Sequence, residues 1–268
     1  AALNKAKIKV NRAIEKIRGV EQAKASEPRF PYPTGPRPYQ QQAFENWKTS
    51  QQGLFAMATS TGKTLTSLNC LLEIYKRKGY YKAIILVPTL TLVDQWDEEC
   101  KKFHFGHIVK VCSKNKEWKS ELDAIRLQED FNFSDKEPSY IIIATYASFA
   151  REGVFKDLTS ISPKIAKKLL LIADEAHNMG SPRILNRLAA VKYKRRIGLS
   201  ATPERQFDDG GNKKIREFFG CGDIEGYTYE FSMQEAIDKG FLCRYFYYPH
   251  LVRLTDEEMS EYMKISLQ

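Results

Sequence analysis

The stretch GLFAMATSTGKTLTSL, residues Gly53 to Leu68, decides the fold of this chain. It starts with an apolar run at 54–57 that suits a buried strand, and continues through small, turn-prone residues. From Lys63 onward, apolar residues recur at helical spacing. A loop that feeds a helix in this way directs backbone N–H groups and the positive end of the helix dipole at an anion. The stretch therefore predicts a phosphate-binding loop between a strand and a helix.

Three consecutive residues give this loop its chemistry. Gly62 lets the backbone approach a phosphate closely, Lys63 can reach β- and γ-phosphate oxygens, and the Thr64 hydroxyl can ligate Mg²⁺. Met57 stands where the general pattern has a glycine, so the alternative is a chance Gly-Lys-Thr at a helix start. Usual amino-acid frequencies predict roughly 0.1 such triplets in a chain of this length, which favours the phosphate-binding interpretation.

Length and composition set wide bounds. The 268 residues suffice for one large α/β domain, or one domain with appendages. No apolar run approaches the ~20 residues that span a bilayer, and the N-terminus lacks the apolar core of a secretory signal, so we expect a cytoplasmic protein and no membrane contact. The net charge of +9 permits binding to a polyanion without establishing it. The five cysteines have no metal-ligand spacing, which predicts reduced thiols and no zinc site.

Strand and helix patterns alternate from residue 53 to residue 203. The continuous apolar runs are typical of strands that are covered on both faces, and the alternation argues for a mostly parallel sheet with helices on both faces. The later strands are predicted at 81–87, 108–112, 140–144, 169–173 and 196–199, and the clearest helices at 90–103 and 182–191. Because ligands of such sheets bind beyond the carboxyl ends of the strands, the polar residues at those ends are the candidates for function.

The two ends of the chain are less regular. Residues 3–25 have the apolar stripe of a helix, five prolines make 28–38 an extended linker, and Pro38 opens a helix with a buried aromatic stripe. A polar segment at 113–137 is predicted to be partly helical, and a glycine- and aspartate-rich loop at 207–211 is followed by a short helix at 215–219. Next come a strand at 227–231, a helix that ends at 237, and a second strand at 241–254. A final acidic helix is capped by Thr255.

Two adjacent carboxylates follow the apolar run at 169–173. In phosphate-loop enzymes one acidic residue at such a strand end holds Mg²⁺ and the next polarises the attacking water. Asp174 and Glu175 could instead begin a helix, where carboxylates favour the dipole. Metal-assisted attack of water on a γ-phosphate needs a lysine, a hydroxyl and both carboxylates, and Lys63 and Thr64 complete that set.

The ordered motifs resemble superfamily 2 helicases and translocases of the DEAH type, and more narrowly the first RecA-like domain of the type III restriction-subunit and XPB-like branch. The resemblance extends from residue 37 to the end of the chain and implies a RecA-like P-loop NTPase domain. It is carried by RPYQ at 37–40, MATSTGKT at 57–64, VPTLTLVDQW at 87–96, ATYASF at 144–149, DEAH at 174–177, SATP at 200–203 and YEFSMQEAIDKGFL at 229–242.

The resemblance implies ATP and Mg²⁺ as cofactors and gives a role to each matching residue. Gln40 would bind the adenine edge, with Arg37 near the base, and the phosphates would be held by Thr59, Ser60, Thr61, Gly62, Lys63 and Thr64. Asp174 would bind Mg²⁺ together with Thr64, and Glu175 would be the catalytic base. His177 would couple to Ser200 and Thr202. Taken alone, this histidine would more often be structural, and the serine and threonine would indicate a capping turn.

The same resemblance implies a nucleic-acid partner, with DNA expected, whose phosphates Thr89 and Thr145 would contact. Two departures from the family pattern matter. Ser60 stands where the family usually has glycine, and its Cβ is expected to stiffen or narrow the loop. A second RecA-like domain is missing from this chain, and with it an arginine finger that contributes roughly 10³–10⁵ in rate in related chemistry, so we expect ATP binding, poor hydrolysis and no unwinding.

Three parts are expected in the chain: a helix or linker from an upstream domain at 1–27, the RecA-like ATP-binding domain at 28–250, and the start of a truncated second RecA-like domain at 251–268. The leading hypothesis is a motor domain of a DNA helicase or translocase, in restriction, repair or phage defence. A nucleotide-gated clamp without productive hydrolysis stays open, although Glu175 favours the motor. A phosphate-loop kinase is disfavoured by the SATP motif and Gln40.

Overall fold

Seven strands form one sheet in which all the described pairings are parallel. A computed structural model of the chain describes residues 27–131, 137–159, 163–191, 193–204, 208–221 and 226–266. The strands are β1 (Gln52–Met57), β2 (Lys82–Val87), β3 (Ile108–Val111), β4 (Tyr140–Thr145), β5 (Leu170–Asp174), β6 (Arg195–Ser200) and β7 (Tyr229–Phe231), and their order in the sheet is β3-β4-β2-β5-β6-β1-β7. The predicted α/β fold is confirmed, and all the described strand pairs are parallel where a mostly parallel sheet was expected.

The central strands carry unbroken apolar runs, such as Ala83–Val87 on β2, because both faces of the sheet are covered. Along β2, Ile84 belongs to one buried cluster and Ile85 to the other, and the same alternation separates Ile142 from Ile143 on β4. Alternate side chains of a strand point to opposite faces, so the unbroken apolar runs reflect two separate cores. Fully burying each of these isoleucines contributes about 1.5–3 kcal/mol.

Helices cover the two faces in separate groups. The helices are α1 (Pro38–Trp47), α2 (Lys63–Lys78), α3 (Leu90–Lys102), α4 (Trp118–Phe131), α5 (Tyr146–Phe149), α6 (Glu152–Thr159), α7 (Pro163–Ala166), α8 (Pro182–Val191), α9 (Asp209–Phe218), α10 (Met233–Asp238) and α11 (Asp256–Ser266), with a 3₁₀ turn at Ala176–Gly180. Helices α1, α2 and α3 contribute buried residues to one core, whereas α4, α8 and α9 contribute to the other. This confirms the prediction of helices on both faces.

The strand order places the carboxyl ends of β1, β6, β5 and β2 side by side. Ala56 of β1 is the register partner of Ser200 on β6, and Asp174 of β5 is the partner of Leu199. The polar motifs that the sequence distributes between residues 57 and 203 therefore meet along one edge of the sheet.

The predicted loop at 207–211 is wrong for the part that the structure describes. Helix α9 begins at Asp209, and the Asp208 side chain caps it by accepting a 2.9 Å hydrogen bond from the Gly211 N–H. The two glycines in the first turn suggested a loop. The first N–H groups of a helix have no acceptor within the helix, however, and a capping side chain can satisfy them. The helix predicted at 215–219 thus starts six residues earlier.

The predicted strand at 241–254 is also wrong. Residues 243–255 have no regular structure, and the side chains of Tyr245, Phe246, Tyr247 and Leu251 are 62–95% exposed. A strand needs a neighbour for its backbone N–H and C=O groups, and the described part of the chain pairs no strand with this segment. Its aromatic and β-branched composition indicated a strand, but composition carries no information on a partner.

Other predictions have clear outcomes. The final helix is confirmed, and Thr255 forms the capping box with Glu258. The helical pattern near Leu122 belongs to α4, whereas the helix predicted at 3–25 lies outside the described residues. All five cysteines are free thiols. Within the described ranges, no helix has the length and apolar character needed to cross a membrane.

Candidate active site

The loop that joins β1 to α2 requires a glycine at its last position. Gly62 caps α2 with φ = +81°, in the left-handed region that favours glycine. A Cβ here would lie 2.9 Å from Gln40 Nε2. Thr61 closes the turn, since its hydroxyl and its N–H donate to the Ala58 carbonyl at 2.6 and 3.3 Å. The backbone conformation therefore favours glycine at this position, and a larger residue would also displace the Gln40 side chain.

Ser60 adopts a similar left-handed conformation, with φ = +64°. This is the position at which the resemblance places a glycine. A residue with a Cβ is uncommon in this region and is held there only by the surrounding structure. This chain therefore differs from the usual family pattern by having a serine in a backbone conformation that favours glycine.

Lys63 lies between the ends of two strands. Its side chain is mostly buried, and its Nζ donates to the Met57 carbonyl at 3.4 Å and lies 3.9 Å from Glu175 Oε1. The first intrahelical bond of α2 runs from the Thr66 N–H to the Gly62 carbonyl. The N–H groups ahead of that bond have no acceptor within the helix, so at the end of β1 they and the lysine are available to an anion.

Asp174 is buried, and both of its carboxylate oxygens accept hydrogen bonds. Oδ2 accepts from the Trp96 indole Nε1 at 2.8 Å, and Oδ1 accepts from the Glu175 N–H at 3.0 Å. The Asp174 main-chain carbonyl accepts from the Tyr146 hydroxyl at 2.8 Å. Burial raises the pKa of Asp174 above its usual value, and the Trp96 N–H opposes this rise by stabilising the ionised form.

Glu175 and His177 connect the end of β5 to that of β6. Glu175 has φ = +47° at the start of the 3₁₀ turn, a conformation that is uncommon outside glycine and concentrated at functional sites. His177 Nδ1 lies 3.0 Å from Ser200 Oγ and 3.5 Å from Glu175 Oε2. Ser200 Oγ also accepts from the Thr202 N–H at 3.2 Å. The structure therefore brings together the histidine, serine and threonine that the sequence predicted to couple, with Thr202 contributing its main chain.

A cavity of about 430 Å³ opens beside the loop, on the side of α1. Gln40 is buried at its wall, and its Oε1 accepts from the Arg37 N–H at 2.9 Å. Tyr39 links this wall to the loop, because its hydroxyl donates to the Thr61 carbonyl at 2.7 Å. The lining residues are Phe30, Tyr32, Pro33, Thr34, Gly35, Arg37, Tyr39, Gln40, Ser60, Thr61, Gly62 and Leu65.

The residues predicted to contact nucleic acid lie on the same edge of the sheet but differ in exposure. Thr89 follows β2, is exposed, and caps α3 by accepting from the Leu92 N–H at 3.3 Å. Thr145 ends the adjacent strand β4, where it is the register partner of Val87. It is buried, and its hydroxyl accepts from the Ser148 N–H. Of the two hydroxyls, that of Thr89 is the more accessible to a ligand.

The donor set at the edge suits a hard cation that phosphates help to hold. Within the described ranges, no group of three or more histidine, cysteine, aspartate or glutamate side chains is arranged to bind a metal by itself. Mg²⁺ prefers oxygen ligands and is usually bound through one or two carboxylates, substrate phosphates and waters. Thr64 and Asp174 offer oxygens of this kind beside the anion-binding loop, so the residues present fit Mg²⁺ with a nucleotide.

A larger cavity, of about 800 Å³, lies at the opposite edge of the sheet. Gln52 at the start of β1 and Arg196 near the start of β6 contribute to it, together with α8 and α9. None of the motif residues is among its described lining residues.

A comparison with protein families shows which family the chain belongs to. Residues 34–205, more than half of its length, match the family described as type III restriction enzyme, res subunit. The chain belongs to this family. The resemblance inferred from the motifs is thereby confirmed, and the loop, the two carboxylates and the SATP turn all lie within the matched range.

Two curated relatives are similar to this res-family chain. The DNA 3'-5' translocase XPB2 of Sulfurisphaera tokodaii is 29% identical over 233 residues, which are 84% of this chain and 42% of the relative. The putative DNA 3'-5' helicase Rad25 of Haloarcula marismortui is 28% identical over 173 residues, 65% of this chain and 23% of the relative. The chain thus spans less than half the length of these relatives.

The fold is also that of solved enzymes. A nuclease-deletion mutant of the type ISP restriction-modification enzyme LlaGI superposes with a TM-score of 0.56 at 21% identity, over 76% of this chain and 20% of that one. The Pyrococcus furiosus Hef helicase domain gives a TM-score of 0.51 at 20% identity, over 69% and 37%. At these identities the likeness shows the fold, which is that of RecA-like helicase domains.

Sequence reasoning missed three aromatic residues at the site of this family member. Tyr39 was interpreted as core, yet its hydroxyl binds the loop. Tyr32, 52% exposed at the cavity, lay in the predicted linker, and Trp96 was only part of a motif. Tyrosine and tryptophan that are buried usually place their polar atom on a partner, but the sequence does not say which partner.

Proposed function

We propose that this chain is the ATP-binding motor domain of a nucleic-acid-dependent ATPase of the helicase or translocase type. The observation that carries the proposal is the Lys63 ammonium 3.9 Å from the Glu175 carboxylate. It unites the anion-binding loop with the acidic pair, two features that lie far apart in the sequence. Family membership supports the proposal independently.

The loop and α2 bind the triphosphate. Backbone N–H groups at the start of α2 and the Lys63 ammonium face the β- and γ-phosphates. Thr64 and Asp174 would hold Mg²⁺, which when bound neutralises charge on those phosphates. The fixed hydrogen bonds on Asp174 orient its carboxylate before a ligand arrives.

Glu175 orients the attacking water and accepts its proton. Its side chain is about one-third exposed and faces Lys63 on one side and His177 on the other. A positioned base contributes typically 10²–10⁴-fold to such a step. The contact of His177 with Ser200 then connects this site to β6, the strand that leads into the SATP turn. A clamp without turnover has no use for such a base, so Glu175 supports a motor.

DNA is the partner that we propose. The curated relatives are named as a DNA translocase and a DNA helicase, and the chain carries a net charge of +9. Because the chain spans a minority of those relatives, we propose that a second RecA-like domain completes the active site. Restriction, repair and phage defence are all compatible with this mechanism.

Replacement of Gln40 by alanine is expected to abolish a preference for ATP over GTP. Gln40 presents a carbonyl oxygen and an NH₂ group, which match the donor and acceptor of the adenine edge, whereas guanine presents the opposite pattern. We expect wild-type protein to favour ATP by about 10- to 100-fold, since a mismatched buried polar group costs 1–3 kcal/mol. Calorimetric titration with each nucleotide and Mg²⁺ measures the preference.

Gln42→Ala is the matched control for this test. Gln42 lies on the same helix, is exposed, and donates a 2.8 Å hydrogen bond to the exposed Asn46. It should keep the wild-type preference. Equal affinities of the wild-type protein for ATP and GTP would refute the assignment of Gln40 to the base.

Replacement of Thr89 by aspartate is expected to weaken DNA binding without weakening the helix. Aspartate and asparagine both cap helices well, so Thr89→Asp and Thr89→Asn preserve α3, but only aspartate places a negative charge near the proposed phosphate. We expect about tenfold weaker binding for aspartate alone, with similar melting temperatures for both variants. Fluorescence anisotropy with two unrelated DNA duplexes over a salt series measures the DNA affinity of each variant.

Wild-type affinity should fall as salt rises and should be nearly the same for the two sequences, because phosphate contacts carry no sequence information. Strong sequence discrimination, or affinity indifferent to salt, would favour a dedicated recognition module over a motor.

A further inference from the structure

Asp174 is held by two buried aromatic side chains that come from different elements. The Trp96 indole on α3 donates to its carboxylate, and the Tyr146 hydroxyl on α5 donates to its main-chain carbonyl, both at 2.8 Å. Trp96 is 1% exposed and Tyr146 is 5% exposed. These two donors fix both the side chain and the backbone of the residue.

The two elements have a second feature in common. Helix α3 is capped by Thr89, and helix α5 is capped by Thr145. These are the two threonines expected at the nucleic-acid edge. Each cap therefore begins a helix that carries, within two turns, an aromatic donor to Asp174.

Trp96 also contacts the region of the other proposed Mg²⁺ ligand. A cavity of about 430 Å³ between α2 and α3 is lined by Thr64, Gln95 and Trp96, among others. Trp96 therefore borders a cavity that Thr64 also lines, and it donates to Asp174. A displacement of α3 along its axis would move the donor of a 2.8 Å bond, and the carboxylate would have to follow or lose it.

We propose that Trp96 and Tyr146 are positioning residues that set the Asp174 carboxylate for Mg²⁺ and that couple its geometry to nucleic acid bound at the caps of α3 and α5. This inference rests on the proposed function and deepens it. Partners in the second layer of a metal site typically change metal affinity by about 10- to 100-fold when removed. A bound nucleic acid that shifts the caps would tighten Mg·ATP, and by reciprocity Mg·ATP would tighten nucleic acid by the same factor.

The test uses two substitutions that each remove one polar group. Trp96→Phe removes the indole N–H, and Tyr146→Phe removes the hydroxyl. The matched controls are Trp47→Phe and Tyr81→Phe, two buried residues outside the site. Trp47 donates to the Arg196 carbonyl. The Tyr81 hydroxyl donates to the Gly106 carbonyl and accepts from the Gly106 N–H. Thermal melting of the four variants shows whether the losses of a buried hydrogen bond are comparable.

The readout is ATP binding as a function of Mg²⁺ concentration, which does not depend on turnover. For Trp96→Phe we expect the half-saturating Mg²⁺ concentration to rise about tenfold, with ATP affinity in EDTA unchanged because Lys63 and Gln40 are intact. Tyr146→Phe should shift it in the same direction. The controls should match the wild type.

A second measurement examines coupling. The ratio of Mg·ATP affinities with and without a DNA duplex should exceed one for the wild type and both controls, and should fall toward one for Trp96→Phe and Tyr146→Phe. If the site variants behave as their controls do in both measurements, the positioning role is refuted while the proposed function stands. If the wild type itself shows no Mg²⁺-dependent ATP binding, the proposed function fails.

Discussion

Glu175→Gln is expected to lower ATP turnover by about 10²–10⁴-fold while leaving Mg·ATP affinity within about threefold. Glutamine has nearly the same volume and backbone preference, so the left-handed conformation at this position is kept. It cannot accept the proton of the attacking water. Phosphate release by the full-length protein, with Mg²⁺ and a DNA duplex, measures turnover, and calorimetry measures binding.

Glu152→Gln is the matched control, because Glu152 is an exposed carboxylate on α6 paired with Lys156 at 2.7 Å. It should have wild-type turnover. Full turnover in Glu175→Gln would show that another group activates the water. A loss of nucleotide binding in the same variant would show that Glu175 holds the site together instead of acting as its base.

The central fold could be predicted because its strands are defined by burial alone. The run Leu170–Asp174 is apolar up to its last residue, since both faces of β5 are covered and only its carboxyl end reaches the site. An apolar run that ends in polar residues therefore indicates both a strand and its functional end. The sequence alone therefore assigns Lys63, Asp174 and Ser200 to one edge of the sheet.

Elements at the margins could not be predicted in the same way. The segment 241–254 has the composition of a strand, but pairing depends on a neighbour that local sequence does not specify. The start of α9 depends on a side-chain cap at Asp208, which outweighs the low helix propensity of Gly210 and Gly211. In both cases the deciding interaction is a hydrogen-bond partner and not a local pattern.

The contacts of the site were the least predictable part. The motif residues could be located, but not the bond from Trp96 to Asp174 or from Tyr39 to Thr61, because these join residues 78 and 22 positions apart. The periodicity of apolar residues predicts that an aromatic side chain lies on the buried face of a helix, but it does not predict the hydrogen-bond partner of that side chain's polar atom. Only the packing of α1 and α3 against the loops brings these polar atoms to the site.

Lys63→Ala is expected to weaken Mg·ATP binding by about 100-fold or more, since a hydrogen bond to a charged group contributes 1.5–3 kcal/mol and the triphosphate loses its main cation. The substitution has a second effect. The Lys63 ammonium also lies 3.9 Å from the Glu175 carboxylate. Without this positive charge, the carboxylate and the γ-phosphate would repel each other.

The two effects can be separated with a double-mutant cycle. If repulsion by Glu175 contributes, Lys63→Ala with Glu175→Gln should bind Mg·ATP more tightly than Lys63→Ala alone, whereas Glu175→Gln alone should bind as the wild type does. Lys76→Ala is the control for the helix, because Lys76 is exposed on α2 and pairs with Glu73. Calorimetry on the four proteins and the control gives the affinities. Wild-type binding by Lys63→Ala would contradict the assignment of this loop to phosphate.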